Sequence, residues 1–553
     1  MSFLHQRHAT MAYVLACLGG LCQAWSMGLP YHAGASGALQ WLAMFILAYL
    51  LLSSGSSRQS ARVAWVFQCT ALTATFWWIF ISLHTYGGMS SVLASFAVVS
   101  LAAALALYWS ALGAVFYQVG VKVWSGAKKP PHALIVWSER CALSLVFGAS
   151  WMLSELCRAQ WFTGFPWGSS GYAHNDTWLG AFAPWIGVYG IGALSATLAM
   201  GAAHLVWSRA QEKQRAAFPV KPPLLRQLGF YGAALIPLWT LLLWPALMAM
   251  DGPPTTEPKD PYGKPLLVEL LQGNVPQQTK FRQDRLSAAQ WYYDQIMTSK
   301  AELVITPETA FAMTTQDLPA TFKDSIKRQF LPEQQAVLFG IPSKDGLDFA
   351  NSAIGLVGAR QEEYRYDKAH LVPFGEFIPP FFRWFTDQMQ MPLGFFKRGA
   401  QRQASLAFLG QRIAPNICYE DLFGEEIAEQ FLVPDSSPSI LVNMSNIAWF
   451  GDTVILDQHL EISRMRTLEF RRPMVRATNA GATAVIDHTG HVRVLAKAFE
   501  REKVTSWVQG RFDEPTFFAW WAARYGLAPL WYFGAGVLLL SCCIGLFRQG
   551  LRR

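Results

Sequence analysis

Charge is scarce in this sequence. Asp, Glu, Lys and Arg make up 15% of its 553 residues, against roughly 25% in soluble proteins. Cysteine offers no covalent framework either. Seven of the 8 cysteines (Cys17, Cys22, Cys69, Cys141, Cys157, Cys542 and Cys543) lie in or beside apolar runs, and no Cys-x-x-Cys pair occurs. That excludes an internal disulfide in the polar part of the chain and leaves no zinc-type ligand cluster. There is no internal repeat and no low-complexity tract. The net charge of +8 would suggest a nucleic-acid partner if it were clustered. Instead the basic residues sit mostly in short loops between apolar runs, where they report membrane topology.

What the sequence does have is apolar length, with 52% hydrophobic residues. Runs occur near 10–29, 38–53, 63–83, 91–119, 133–156, 178–207, 229–250 and 526–547. All but the second reach the roughly 17–25 residues a helix needs to cross a bilayer; a re-entrant hairpin is the alternative there. The first run lacks a small-residue cleavage site and reads as an anchor. With the N-terminus inside, the inner segments hold Arg7, Arg58, Arg62, Lys122, Lys128, Lys129, Arg209, Lys213, Arg215, Lys221, Arg226, Arg548, Arg552 and Arg553. The short outer loops 30–37, 84–90 and 158–177 hold Arg158 alone. This bias predicts eight spans with both termini cytoplasmic and the large segment before the last span outside.

That segment divides the chain into 1–251, 252–517 and 518–553. Its character changes at Asp251-Gly-Pro-Pro-Thr-Thr-Glu-Pro, after which strand-like runs (LLVELLQGNV, ELVITPE, AVLFGIP, SAIGLVG, SILVNMSN, TAVIDHTG) alternate with helical patterns near 282–300, 317–330, 423–432 and 455–471. Such alternation predicts a layered α/β domain.

Three reactive side chains follow apolar strands in that domain. Cys418, in IAPNICYEDLFGEE, is its only cysteine; at a strand-to-helix junction a thiol projects outward beside backbone N–H groups. Most free cysteines are simply buried. Glu308, in LVITPETAF, stands where partial desolvation raises a carboxyl pKa toward that of a working base. An isolated Pro-Glu is ordinarily a surface turn. Lys368, in YRYDKAHLVPFGEFIP, lies in a loop stiffened by aromatics and prolines, where a fixed ammonium can stabilise an oxyanion.

In the order Glu308, Lys368, Cys418, these residues resemble the Glu–Lys–Cys triad of the nitrilase superfamily, which implies an αββα sandwich. Lys-x-His-Leu-Val-Pro-Phe-Gly-Glu at 368–376, Cys-Tyr-Glu at 418–420, Asn-x-Ala-Trp-Phe-Gly at 446–451 and Thr-Gly-Phe-Pro-Trp at 163–167 narrow the likeness. With the eight spans, nearly the whole chain is similar to the bacterial apolipoprotein N-acyltransferase family. The chain departs from the family pattern at Thr306, where Trp is common, and at Ile447, where Asp often follows Asn.

The resemblance implies acyl transfer from a phospholipid, phosphatidylethanolamine being the expected donor, to the α-amine of a diacylglyceryl-cysteine on an apolipoprotein. Cys418 carries the acyl group, Glu308 is the base, and Lys368 with backbone N–H groups holds the oxyanion. Glu376 orients Lys368 or Glu308, and Tyr419, Glu420, Asn446 and Trp449 line the pocket. No cofactor or metal is implied, and a monomer in the inner membrane with its catalytic domain in the periplasm is expected.

Withdrawing an acyl chain into water costs roughly 0.8 kcal/mol per CH₂, so the thiol must work at the membrane surface. Two apolar stretches suit a lid there: Phe381 and Phe382 lie in one, and Met389, Met391, Phe395 and Phe396 in the other. Phe162, Phe165, Trp167 and Tyr172 read equally as interfacial belt residues or as substrate contacts, and Glu155 and Arg158 as a pair at the end of a span. Other readings are a membrane-anchored amidase or nitrilase, a Cys–His enzyme using His459, His488 or His491, and a non-enzymatic transporter or scaffold.

Overall fold

The computed structural model describes residues 2–28, 34–122, 133–215, 264–280, 285–330, 334–346, 348–358, 360, 362–379 and 396–550. Among them, three helices are long and apolar enough to cross a bilayer: Ser91–Val121, Trp178–Gln211 and Ala528–Gly545. A fourth candidate is bent, Ser57–Thr75 continuing as Ile79–Tyr86 at 57°. Thr10–Trp25 and Gly37–Leu52 are apolar but shorter. Gly37–Leu52 forms one unbroken helix of 16 residues, so no re-entrant hairpin forms there. Serines start these helices where their hydroxyls satisfy an orphan N–H: Ser36 accepts from Leu39, Ser56 from Gln59 and Ser90 from Leu93. The 229–250 run lies outside the described residues.

Among the described residues, twelve strands form the polar domain: β1 Leu266–Gln272, β2 Leu303–Ile305, β3 Ala336–Asp345, β4 Asp348–Val357, β5 Tyr364–Asp367, β6 Leu406–Phe408, β7 Gln411–Ile417, β8 Ile440–Ser445, β9 Met474–Thr478, β10 Ala484–Ile486, β11 Val492–Leu495 and β12 Glu502–Val508. They make two six-stranded sheets, ordered β12-β1-β2-β3-β4-β5 and β11-β10-β9-β8-β7-β6. The centre of each is parallel, β1 to β3 in one and β7 to β9 in the other. Central strands such as β2 and β8 are buried throughout, as expected for parallel strands covered on both faces.

Side-chain alternation along β1 to β4 builds two cores. Val268, Leu270, Leu303, Ile305 and Leu338 meet Ile413, Ile417, Val442, Met444 and Val475 between the sheets. Leu271, Val304, Val337 and Phe339 face outward onto the helices Arg285–Thr298 and Ala320–Gln329 through Tyr292, Ile296, Phe322 and Ile326. The second sheet is covered by the helix Ile455–Phe470, whose Ile462, Met465 and Phe470 share one continuous core with Phe76, Leu156, Trp167 and Tyr172 of the helical region. The result is an αββα sandwich whose last layer is also its seat on the membrane-type helices. Cys418 packs against both the inter-sheet core and that shared core.

Sequence periodicity locates the central strands and the long helices, including Ile455–Phe470. The segment near 423–432 is not one helix: a 3-10 turn at Cys418–Leu422 leads into Gly424–Ala428 and another short turn. Strands β5, β6, β9, β11 and β12 carry no clear signature in the sequence.

Candidate active site

The carboxyl ends of the parallel strands face one place, where ligands collect in α/β sheets. β2 runs into Thr306-Pro307-Glu308, β7 into Cys418 and β8 into Asn446, while antiparallel β5 delivers Lys368. Gly340 on β3 lets the Glu308 turn lie flat: a Cβ there would strike the Pro307 carbonyl and come within 2.9 Å of Glu308 Cα. Thr306 is fully buried and accepts from Gly340 N–H at 3.1 Å, so the departure at this position ties β2 to β3. Thr309 (φ 50°), Phe374 (φ 64°) and Cys418 (φ 55°) all occupy the left-handed region, which non-glycine residues rarely adopt. Such strain gathers at functional sites.

Lys368 is the hub. Only 1% exposed, its Nζ donates to Glu308 Oε1 at 3.2 Å and to Glu376 Oε1 at 3.0 Å. Asn351 Nδ2 donates to the same two oxygens, at 2.7 and 2.8 Å. The remaining carboxylate oxygens accept from backbone: Glu308 Oε2 from Asn446 N–H at 3.0 Å and Glu376 Oε2 from Val372 N–H at 2.8 Å. Burial works against the Lys368 charge, but Glu308 and Glu376 outweigh it and hold the ammonium above the usual lysine range.

Cys418 stands half-buried beside this group. Its carbonyl accepts from Asn443 Nδ2 at 3.2 Å, and the Ser445 hydroxyl and Asn446 N–H favour its thiolate. Burial nonetheless pushes the thiol up to about 12; Glu308 adds to the rise and Lys368 opposes it. The resting sulfur is therefore a neutral thiol, and a thiol in that state reacts as a nucleophile only with a base to take its proton. Glu308 is the carboxylate whose charge acts on it.

Comparison with known proteins decides the family. Residues 24–201 match the apolipoprotein N-acyltransferase N-terminal domain and residues 270–509 the carbon-nitrogen hydrolase domain. Apolipoprotein N-acyltransferase of Verminephrobacter eiseniae is 44% identical over 93% of this chain and 92% of its own length. That of Ralstonia nicotianae is 41% identical, covering 92% and 90%. The Chromobacterium violaceum protein is 33% identical, covering 96% and 94%. The chain belongs to the apolipoprotein N-acyltransferase family.

Of the other residues singled out in this N-acyltransferase family chain, Glu420 turns away from the solvent into backbone. Its carboxylate accepts from Ile417, Ala369 and His370 N–H and from the Tyr366 hydroxyl, at 2.6, 2.6, 3.0 and 2.8 Å. It thus ties the cysteine turn to the lysine loop. Burial raises its pKa to about 7, against the pull of those N–H donors. Tyr419 points toward the helical region, its hydroxyl donating to Gly164 O at 3.0 Å. Trp449 packs edge-on against Tyr86 at 5.6 Å.

Phe165, Trp167 and Tyr172 are packing residues of the seam, with Trp167 and Tyr172 buried; Phe162 alone is exposed, at 91%. Glu155 and Arg158 are buried and bind the same loop, Glu155 accepting from Ser170 N–H at 2.7 Å and Arg158 donating to Phe165 O at 2.9 Å. Phe396 donates its N–H to Glu376 O at 3.1 Å. Phe381, Phe382, Met389, Met391 and Phe395 lie outside the described residues.

His459 is fully buried against Trp167 and Asp421, and burial, with Arg476, holds it well below the ordinary histidine range. His488 bonds to Arg511 on the β10–β11 hairpin side, and His491 donates its N–H to Asp487. Among the described residues no three His, Cys, Asp or Glu side chains group as a metal site. Sequence reasoning missed Asn351, whose only signal is an amide, next to Ser352, leading into the apolar end of β4.

Proposed function

We propose that this chain moves an acyl chain from a phospholipid to the α-amine of the diacylglyceryl-cysteine at an apolipoprotein N-terminus. The observation that carries this reading is the buried Glu308–Lys368–Glu376 group beside Cys418, set where the sandwich joins the apolar helices. Glu308 takes the thiol proton as the sulfur attacks the donor ester carbonyl. Lys368 and backbone N–H groups after Cys418 balance the charge on the oxyanion. The intermediate collapses to a Cys418 thioester, and the lysophospholipid leaves with the proton. The acceptor amine then attacks the thioester, Glu308 accepts its proton, and the thiol is restored with an amide formed.

Glu376 and Asn351 keep Lys368 and Glu308 in register, while Tyr419, Glu420, Asn446 and Trp449 shape the walls. In this reading the chain has eight spans, at 1–251 and 518–553, with both termini cytoplasmic. The 252–517 domain stands in the periplasm, phosphatidylethanolamine is the donor, and the enzyme works as a monomer. Phe381, Phe382, Met389, Met391, Phe395 and Phe396 belong to a lid that dips into the outer leaflet.

Intact-protein mass spectrometry after exposure to phosphatidylethanolamine tests it. One acyl-chain gain is expected, absent in Cys418→Ala and discharged onto an added diacylglyceryl-cysteine peptide. Discharge to water alone would instead favour a membrane-anchored amidase-type hydrolase, and no adduct under any condition would overturn the enzyme reading.

A further inference from the structure

A second buried lysine reaches Glu308, at its backbone carbonyl. After β1 the chain turns back at Pro276, whose carbonyl accepts from Thr279 and Lys280 N–H at 3.2 and 3.0 Å. This turn is pinned over the site. Asn274 N–H donates to Asn479 O at 2.7 Å, Val275 exchanges two bonds with the Asn479 side chain at 3.0 and 2.9 Å, and Asn446 Nδ2 donates to Gln277 Oε1 at 3.1 Å. Lys280, 1% exposed, is thereby driven inward, and its Nζ lies 3.4 Å from the Glu308 carbonyl oxygen.

A lysine is almost never buried without a partner charge, and Glu308 is the carboxylate that acts on this one. The charged or titratable groups acting around Glu308 are Lys368 from the end of β5, Glu376 from the turn after it, Cys418 from the end of β7 and Lys280 from the turn after β1. Glu420 and Arg476 act one step further out, on Lys368 and Cys418. Lys368 is shared between two carboxylates, so by itself it leaves the group one negative charge in excess. Lys280 supplies the missing positive charge.

We infer that Lys280 is a positioning residue of this enzyme, holding Glu308 ionised and fixing its backbone so that it can take the Cys418 proton. The inference rests on the reading of Glu308 as the base. Burial lowers the Lys280 pKa to about 8, with Glu308 opposing, so the ammonium persists at neutral pH. Removing that charge disfavours the ionised carboxylate, so acylation should be lost at a higher pH than in the parent protein.

The test follows single-turnover acylation of Cys418 by a water-soluble p-nitrophenyl ester, using the full chain in detergent, over about pH 5 to 9. Lys280→Gln keeps a donor for the Glu308 carbonyl without charge, Lys280→Met keeps neither, and Lys280→Arg keeps charge. The acidic midpoint should rise by about one pH unit in the Gln and Met variants and stay in place in the Arg variant. The midpoint does not depend on how much of a preparation is folded, so a destabilised variant still answers. Identical midpoints in all four proteins, or an equal rise in Lys280→Arg, would overturn the inference. Absence of acylation in the unmodified chain would count against the acyl-transfer reading instead.

Discussion

Asn351 and Lys368 clasp the same pair of oxygens. Each donates to Glu308 Oε1 and to Glu376 Oε1, over 2.7 to 3.2 Å, and Lys368 N–H donates to Asn351 O at 2.8 Å. The amide and the ammonium therefore act as one clamp. Two carboxylates stay close together in a desolvated pocket because four donor contacts face one oxygen of each.

Asn351→Ala should slow Cys418 acylation without unfolding the sandwich. Hydrogen bonds to charged groups contribute about 1.5–3 kcal/mol, which corresponds to roughly a 10- to 100-fold loss of rate. Asn351→Asp should be worse, since it adds a third carboxylate beside the pair. Single-turnover acylation rates decide this; a wild-type rate in the alanine variant would show that Lys368 alone holds the clamp.

Glu308→Gln should separate thiol reactivity from catalysis. Its charge helps hold the Cys418 thiol near 12, so neutralising it lowers the thiol pKa and raises the thiolate fraction at any fixed pH. Iodoacetamide should then alkylate Cys418 faster in the variant near pH 8, while acyl transfer falls by about 10²-fold or more. Parallel loss of both activities would mean Glu308 is structural.

The Glu420 carboxyl titrates near 7 in the folded chain, against a reference of 4.5. Because the folded value is the higher one, the native state binds more protons between those values. The contribution of this group is therefore greatest below pH 4.5 and is lost as pH rises to about 7. Glu420→Gln removes that slope and also faces an amide toward three N–H donors. Thermal unfolding in detergent across this window should be flatter with pH in the variant and lower overall, by about 1–3 kcal/mol. An unchanged pH slope would assign the titration to another carboxyl.

Gln458 holds the seam between sandwich and helices. Its Oε1 accepts from Trp78 Nε1 at 3.1 Å and Trp167 Nε1 at 2.7 Å, and both indoles are buried. Gln458→Ala strands two donors and should cost about 2 kcal/mol or more. Scanning fluorimetry should show the loss, and unfolding at the wild-type temperature would show that the seam is held elsewhere.

Much of this molecule is legible in its chain of residues. Local physics suffices for a strand that is apolar throughout, a helix with a 3.6-residue period, and a reactive side chain just past a strand end; Glu308, Lys368 and Cys418 stand out on those grounds. Edge strands β11 and β12 escape because they alternate burial with exposure and carry charge, a pattern shared with loop sequence. Lys368 by itself reads as a solvated loop charge, since burial is a property of what lies opposite.

Sequence alone determined the family, the layered α/β class, the apolar helices and the identity of the candidate nucleophile, because these depend on composition, periodicity and motif order. Only the tertiary structure decided how the charges balance. Asn351 on β4, Glu376 after β5 and Lys280 after β1 converge on Glu308 through strand register and a pinned turn, and Glu420 joins two loops 50 residues apart through backbone N–H groups. Hydrogen bonding and desolvation act over a few ångströms in space, and the chain brings those atoms together only when both sheets have closed on their shared core.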